Sequence, residues 1–403
     1  MNINLGYRQV GGAEWARNTL RMRLIALLVI TPLLFSSQLS TSHAAVKAGA
    51  KCQKVGVKSV VGAKTFTCIK PGKKLVWNKG VLTKKTSSGS KPQTSPKEIE
   101  EPLAPTGFDN LLERYKGIPA KIWKNSRELI SSGSVSTKFE IILGPNTKFP
   151  TIAGSPILYL ENASKLWSQY KQPLTTKTFA YSHTDLAWVQ QKNRELQGSW
   201  HKPEDLAGNC TSPESCNSFG GAYNGLGQLF IGIPYQPYSF ATLDFTRANL
   251  THEYTHTVQY TQLNAPANVK LPCWYAEGQP QVIGHSLGFE SLAEYKQSRQ
   301  IWFDDPAGAL GDYSPESILK FYSLTGGSTG GFCNQQVRPR VYDLGYITVE
   351  ALAAVKGIES TMDLVVNIGN GATFEDSFKK VYGISWSEAA PILAKVVSAE
   401  FTR

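Results

Sequence analysis

The chain has 403 residues, 41% of them hydrophobic and 18% charged, which excludes a disordered or collagen-like chain and leaves room for about two to three domains. The net charge of +11 is unevenly placed: residues 1–45 carry +3, residues 46–101 carry +10 and the remaining 302 residues carry −2. The basic charge therefore belongs to an N-terminal arm that lacks a base-reading motif, which argues against nucleic acid, and no apolar run approaches the ~18 residues of a spanning helix, which excludes a multi-pass membrane protein.

Arg17, Arg21 and Arg23 precede an apolar run from Leu24 to Phe35, and a polar stretch then leads to Ser42-His43-Ala44-Ala45. Charged region, apolar core and small-residue site together read as a secretory signal over residues 1–45, cleaved after Ala44 or Ala45. Met22, beside Arg23, would open a more compact signal than Met1 does. The six cysteines, Cys52, Cys68, Cys210, Cys216, Cys273 and Cys333, all follow that segment. An even number in an exported chain favours disulfides, and six allow about fifteen pairings. Proximity favours Cys52–Cys68 and Cys210–Cys216, which leaves Cys273–Cys333. With no Cys-x-x-Cys pair present, a cysteine-based zinc site is disfavoured.

Residues 46–80 form a small basic two-Cys module. Its runs Lys58–Val61, Thr65–Ile69 and Lys74–Trp77 alternate with Gly and read as a β-hairpin or meander stapled by one disulfide. The module resembles the short Lys- and Gly-rich modules near the start of secreted actinobacterial proteins. Two roles are open for it: adhesion to an anionic cell-envelope polymer through residues 46–101, or a solvated spacer. Residues 81–105 are rich in Lys, Ser, Thr, Pro and Glu without apolar periodicity, and read as a flexible linker.

Residues 106–403 read as one catalytic-sized body. Phe108, Leu111, Leu112, Tyr115, Ile118 and Ile122 suggest a helix or helix pair. Strands are expected at Phe139–Leu143, Thr178–Tyr181 and Gln228–Ile233, helices at Ala163–Tyr170 and Asp185–Leu196, and a loop over 201–225. After Leu243 the pattern is helical, through Leu250–Tyr260, Tyr275–His285, Leu292–Phe303, Glu316–Tyr322, Tyr346–Val355 and Trp386–Phe401. Strands first and helices later point to an α+β fold, with an N-terminal α/β lobe and a helical C-terminal lobe.

His252-Glu253-Tyr254-Thr255-His256 is a His-Glu-x-x-His string. On a helix two histidines four apart stand on one face and can grip one metal ion, while Glu253 between them can take a proton from a water that the metal activates. Two histidines leave a zinc ion short of a third protein ligand. Glu277, in Cys273-Trp274-Tyr275-Ala276-Glu277-Gly278, lies 21 residues past His256 and early in the next helix, where a fold-back would present its carboxylate.

These strings resemble those of the gluzincin metallopeptidases, the thermolysin- and aminopeptidase-N-like group, whose signature is His-Glu-x-x-His followed by Trp-x-x-Glu-Gly. Tyr342-Asp343-Leu344-Gly345 is similar to the Tyr-x-x-Gly of aminopeptidase-N-like members. The resemblance covers about residues 220–400. It implies a zinc metallopeptidase in which His252, His256 and Glu277 bind Zn2+, Glu253 is the general base, Tyr342 helps stabilise the transition state, and a peptide or protein is the substrate. Two departures stand out. Aminopeptidases of the group carry Gly-x-Met-Glu-Asn upstream, whereas Gly221-Ala222-Tyr223-Asn224-Gly225 holds no acid. Relatives carry small or apolar residues after the ligand Glu, whereas here Gly278-Gln279-Pro280-Gln281 follows it.

An extended substrate is expected to lie along Gln228–Ile233 as an added strand. His183 and His285 read as structural histidines. Asp304, Asp305 and Asp312 lack a full calcium-loop signature and read as a solvated loop. The reading from sequence is thus a secreted or envelope-associated zinc peptidase. Its rival is a catalytically inactive protease fold, held at the envelope by the basic arm.

Overall fold

The computed structural model describes residues 47–52, most of 55–82, 101–149, 155–196, Cys210, Ser212, Cys216, 220–223, 226–233, 240–300, 308–329 and 333–402. The signal segment 1–45, most of the linker 81–105, and Asp304 and Asp305 lie outside the described residues. The chain divides between Glu100 and Glu101 into two compact units.

In the smaller unit, strand β2 (Lys64–Ile69) is central. It pairs antiparallel with β1 (Lys58–Val61), β3 (Val76–Trp77) and β4 (Val81–Leu82). Phe66 and Cys68, two apart and so on one face of β2, are buried. Cys68 is bonded to Cys52, which ties the entering segment to the sheet.

The larger unit opens with two 3₁₀ turns, Phe108–Asn110 and Tyr115–Gly117, and helix α1 (Ile118–Ser132). Next come β5 (Lys138–Leu143), α2 (Pro156–Leu166), β6 (Thr175–Tyr181), α3 (Leu186–Glu195), β7 (Gly220–Tyr223) and β8 (Gln228–Gly232). The strands form one sheet in the order β5-β6-β8-β7. β5, β6 and β8 are parallel, and α2 supplies the crossover that a parallel β5–β6 pair requires. β7 is antiparallel to β8 and closes that edge.

From there on the described elements are helices. They are α4 (Phe240–Leu263), the short α5 (Ala267–Lys270), α6 (Cys273–Gly288), α7 (Leu292–Gln300), α8 (Pro315–Leu324), α9 (Leu344–Lys356), α10 (Ile358–Gly369), α11 (Phe374–Tyr382) and α12 (Trp386–Phe401). The fold is mixed, with a small mostly parallel sheet and many helices, as an α+β chain should be.

Three local expectations need correction. The helix read at Ala163–Tyr170 begins at Pro156, because proline at the first helical position brings a preset φ and loses no hydrogen bond there. The stretch 201–225 contains β7, a strand too short and Gly-rich to register as one. Because β7 pairs with β8, the strand Gln228–Ile233 has neighbours on both sides and cannot accept an added strand; the edge belongs to β7.

Helix α6 is the centre of this unit. Every one of its residues except Glu277 is buried. It crosses α4 at close range: a methyl at Gly284 would lie 2.8 Å from the Ala248 carbonyl oxygen. Beneath it Trp274 stacks on Trp386 with ring centroids 4.9 Å apart, and Phe374 meets both rings edge-on. On another side the buried Arg299 guanidinium lies 2.7 Å from Glu350 and 3.6 Å from Glu400, joining α7, α9 and α12.

Candidate metal centre

Leu250, Tyr254 and Val258 recur every four residues along α4 and are buried, so they fix which face of the helix turns to the core. The adjacent face then carries His252 and His256 one turn apart, with ring centroids 4.8 Å apart at 75°. After α4 the chain reverses at Asn264, whose φ of 49° is left-handed and whose N–H bonds the Tyr260 carbonyl at 2.8 Å, a helix ending that asparagine tolerates. The return places α6 against α4 and brings Glu277 to the histidines. Its Oε2 lies 3.1 Å from His256 Nε2 and 3.5 Å from His252 Nε2.

His252, His256 and Glu277 therefore converge, with one ligand atom from each within 4.8 Å of the others. Ligands held at zinc distances around one tetrahedral ion stand about 3.3–3.5 Å apart, so the two carboxylate–imidazole spacings fit a zinc ion. Two imidazoles and one carboxylate are also a donor set zinc takes in catalytic sites. Among the described residues this is the one group of three such side chains so gathered.

Electrostatics couple Glu277 to the two histidines. Burial opposes a charge on either partner. For Glu277, His256 and hydrogen bonds from both histidines outweigh it and hold the carboxyl well below its usual range. For His256, Glu277 outweighs it and pushes the imidazole up to about 9. The site thus presents negative charge that a proton on His256 balances, and a divalent ion would displace that proton.

Glu253 is buried beside the triad, with Oε1 3.9 Å from His252 Nε2. Tyr342 follows a 3₁₀ turn, Arg338–Val341, and its ring centroid lies 6.4 Å from that of His252. Burial first, then Glu277, raise the phenol's pKa, so it stays protonated. The Arg338 side chain hydrogen-bonds the Tyr342 side chain. Asp343 caps α9 through Leu344 N–H and meets Arg340 at 3.1 Å, which secures the turn.

Two glycines explain why Glu277 and Tyr342 arrive together. A methyl on Gly278 would lie 2.4 Å from the Gly345 carbonyl oxygen, and one on Gly345 would lie 2.4 Å from the Trp274 carbonyl oxygen. The glycine after Glu277 and the glycine three past Tyr342 are therefore the two halves of one backbone contact between α6 and α9. The bond Cys273–Cys333 adds a covalent tie at the start of α6. There Cys273 N–H bonds Thr325 O at 2.7 Å and Trp274 Nε1 bonds Gly327 O at 3.1 Å. Cys210–Cys216 is also bonded, so all six cysteines pair as proximity suggested.

Three glutamines to which the sequence alone gives no role stand behind the histidines. His252 Nδ1 lies 3.0 Å from Gln281 Oε1, and His256 Nδ1 lies 2.9 Å from Gln259 Oε1. Gln259 in turn bonds Gln279 at 2.7 Å. Two of them stand out in the sequence as Gln279-Pro280-Gln281, but glutamine has no periodicity that marks it as a partner of His252 or His256.

The remaining candidates stand apart. His285 is buried, stacks on Tyr346 at 4.9 Å and meets Ser298 Oγ at 3.1 Å. Burial, then the charges of His252 and Arg299, hold its pKa down to about 3, so it is a neutral packing residue. His183 sits in the turn His183–Asp185 and is not in the triad. Asp312 accepts from Ser317 and Ser314, and the cluster caps α8. Of Gly221-Ala222-Tyr223-Asn224-Gly225, the first three residues lie on β7, while Asn224 and Gly225 lie outside the described residues.

Set against known protein families, curated proteins and solved structures, the chain has no match.

Proposed function

We propose that this chain is an exported zinc-dependent peptidase of the gluzincin type. The observation that carries the reading is the convergence of His252, His256 and Glu277 from two helices at spacings suited to one ion, with Glu253 and Tyr342 beside them. Glu277 is the one acidic residue of α6, whose fifteen other residues are all buried; a carboxylate there is costly unless a cation or its surrogate balances it.

Zinc bound there would polarise a substrate carbonyl and acidify a water. Glu253 accepts that water's proton as the oxygen attacks the carbonyl carbon, and returns it to the departing amine. Tyr342 donates its hydroxyl proton in a hydrogen bond to the developing oxyanion. Arg338 donates to the phenol oxygen, which leaves the phenol's own hydrogen for the substrate and strengthens it as a donor. An extended peptide would pair with β7, the edge strand that packs beside α4, and not with β8. Three disulfides and the absence, among the described residues, of any helix able to cross a membrane are compatible with an extracellular site of action. The basic arm would hold the enzyme at an anionic envelope polymer.

The reading is tested by metal content. The purified mature protein should hold one zinc per chain, and Glu277→Ala should lose most of it, since only two protein ligands remain. A wild-type protein that takes up no zinc would remove the proposal.

A further inference from the structure

The geometry points to Gln259 and Gln281 as positioning residues that set the tautomers of the two histidine ligands, each taking its own orientation from a backbone carbonyl that the chain leaves open. The inference rests on the zinc-site reading and concerns which residues, besides the three ligands, make that site bind.

A histidine binds through Nε2 only if its proton sits on Nδ1. An imidazole alone in a site has no reason to choose. Here the choice is made two bonds away. Gln281 Nε2 donates to the Tyr342 carbonyl oxygen at 3.3 Å. A backbone carbonyl can only accept, so the amide nitrogen must face it and Oε1 must face His252. At 3.0 Å from that oxygen, His252 Nδ1 is obliged to donate, which leaves Nε2, the atom that faces Glu277, as the one that would give up its proton to a metal ion.

The same logic governs His256. Gln259 Nε2 donates to the Ala276 carbonyl oxygen at 3.2 Å and to Gln279 Oε1 at 2.7 Å. Both are acceptors as arranged, because Gln279 turns its own Nε2 to Thr361 Oγ1 at 2.8 Å. Oε1 of Gln259 is thus committed to His256 Nδ1 at 2.9 Å.

Ala276 O is available to Gln259 for a specific reason. Inside α6 it would normally accept from the N–H four residues on, which is Pro280, and proline has none. The proline that departs from the expected pattern therefore exposes the carbonyl that orients the glutamine that orients His256. All three glutamines are buried, so no water competes for these bonds. Gln281 has a second consequence: it joins a metal ligand to the backbone of Tyr342, so the oxyanion donor and the metal are held by one side chain.

The test measures zinc affinity by chelator competition, and apo-protein melting, in wild type, Gln281→Met and Pro280→Ala. Methionine keeps the bulk of glutamine without its polar atoms. Gln281→Met should weaken zinc by about 10–100-fold and lower kcat more than KM, because Tyr342 is also loosened. Pro280→Ala restores a helix N–H that competes for Ala276 O; it should raise apo melting yet weaken zinc by roughly tenfold. A wild type without zinc overturns both the zinc reading and this inference. Wild-type zinc uptake with undiminished affinity in both folded variants overturns this inference alone.

Discussion

Gly278 and Gly345 face each other so closely that neither can carry a side chain: a methyl on the first would lie 2.4 Å from the carbonyl oxygen of the second. The contact clamps α6, which carries Glu277, to α9, which begins two residues after Tyr342. Separate glycines in sequence are thus one structural joint. Gly345→Ala should push the helices apart and destabilise the fold by about 2–3 kcal/mol, with a lower melting temperature. Activity should fall by more than the loss of folded protein explains, because Tyr342 moves with α9. An unchanged melting temperature would mean the helices are not so closely joined.

Tyr342→Phe removes one hydroxyl and leaves the ligand set intact. Zinc content should be unchanged, while turnover falls by about a hundredfold, the usual cost of one oxyanion donor. Arg338→Met should lower turnover less, since Arg338 acts through Tyr342. It should have no further effect in the Tyr342→Phe background. Full turnover by Tyr342→Phe would make the tyrosine a packing residue only.

The bond Cys273–Cys333 closes a span of 60 residues at the start of the helix that carries Glu277. Replacing both cysteines with serine should cost about 4 kcal/mol on the chain-entropy account. Because Cys273 stands four residues before Glu277, melting temperature and activity should fall together. Cys210→Ser with Cys216→Ser, closing only six residues, should change stability less. Equal losses from the two pairs would contradict the loop-length argument.

The basic arm makes a prediction separate from catalysis. Deleting residues 46–101, which carry +10, should release the protein from the cell envelope and spare activity on a soluble peptide. High salt should release the intact protein, because exposed charges are screened. Retention that ignores salt would rule out electrostatic adhesion.

How much of this was legible in the sequence differs by residue. His252 and His256 could be read from helical spacing alone, because four residues make one turn whatever the tertiary fold. Glu277 could be placed early in the next helix and offered as a third ligand, but no periodicity says that this helix folds back on the first, which only tertiary packing decides. β7 escaped notice because Gly220 and Gly221 are poor strand formers, and pairing with β8 rather than propensity makes it a strand. What Gln259, Gln279 and Gln281 do could not be read for another reason. Apart from the bond of Gln259 to His256, three residues away, their role lies in bonds between residues 17 to 82 apart, which depend on tertiary packing and on a carbonyl that Pro280 leaves open.

The most direct measurement is digestion of a peptide library by the zinc-loaded wild type beside Glu253→Gln, with products read by mass spectrometry. The substitution keeps size and polarity but removes the group that takes the water's proton. The account predicts cleavage of internal or terminal peptide bonds by the wild type, and at least a hundredfold slower cleavage, by the usual magnitude of general-base catalysis, by a variant with the same zinc content and melting temperature. Equal cleavage rates in the two proteins, or none from a zinc-loaded wild type, would contradict it.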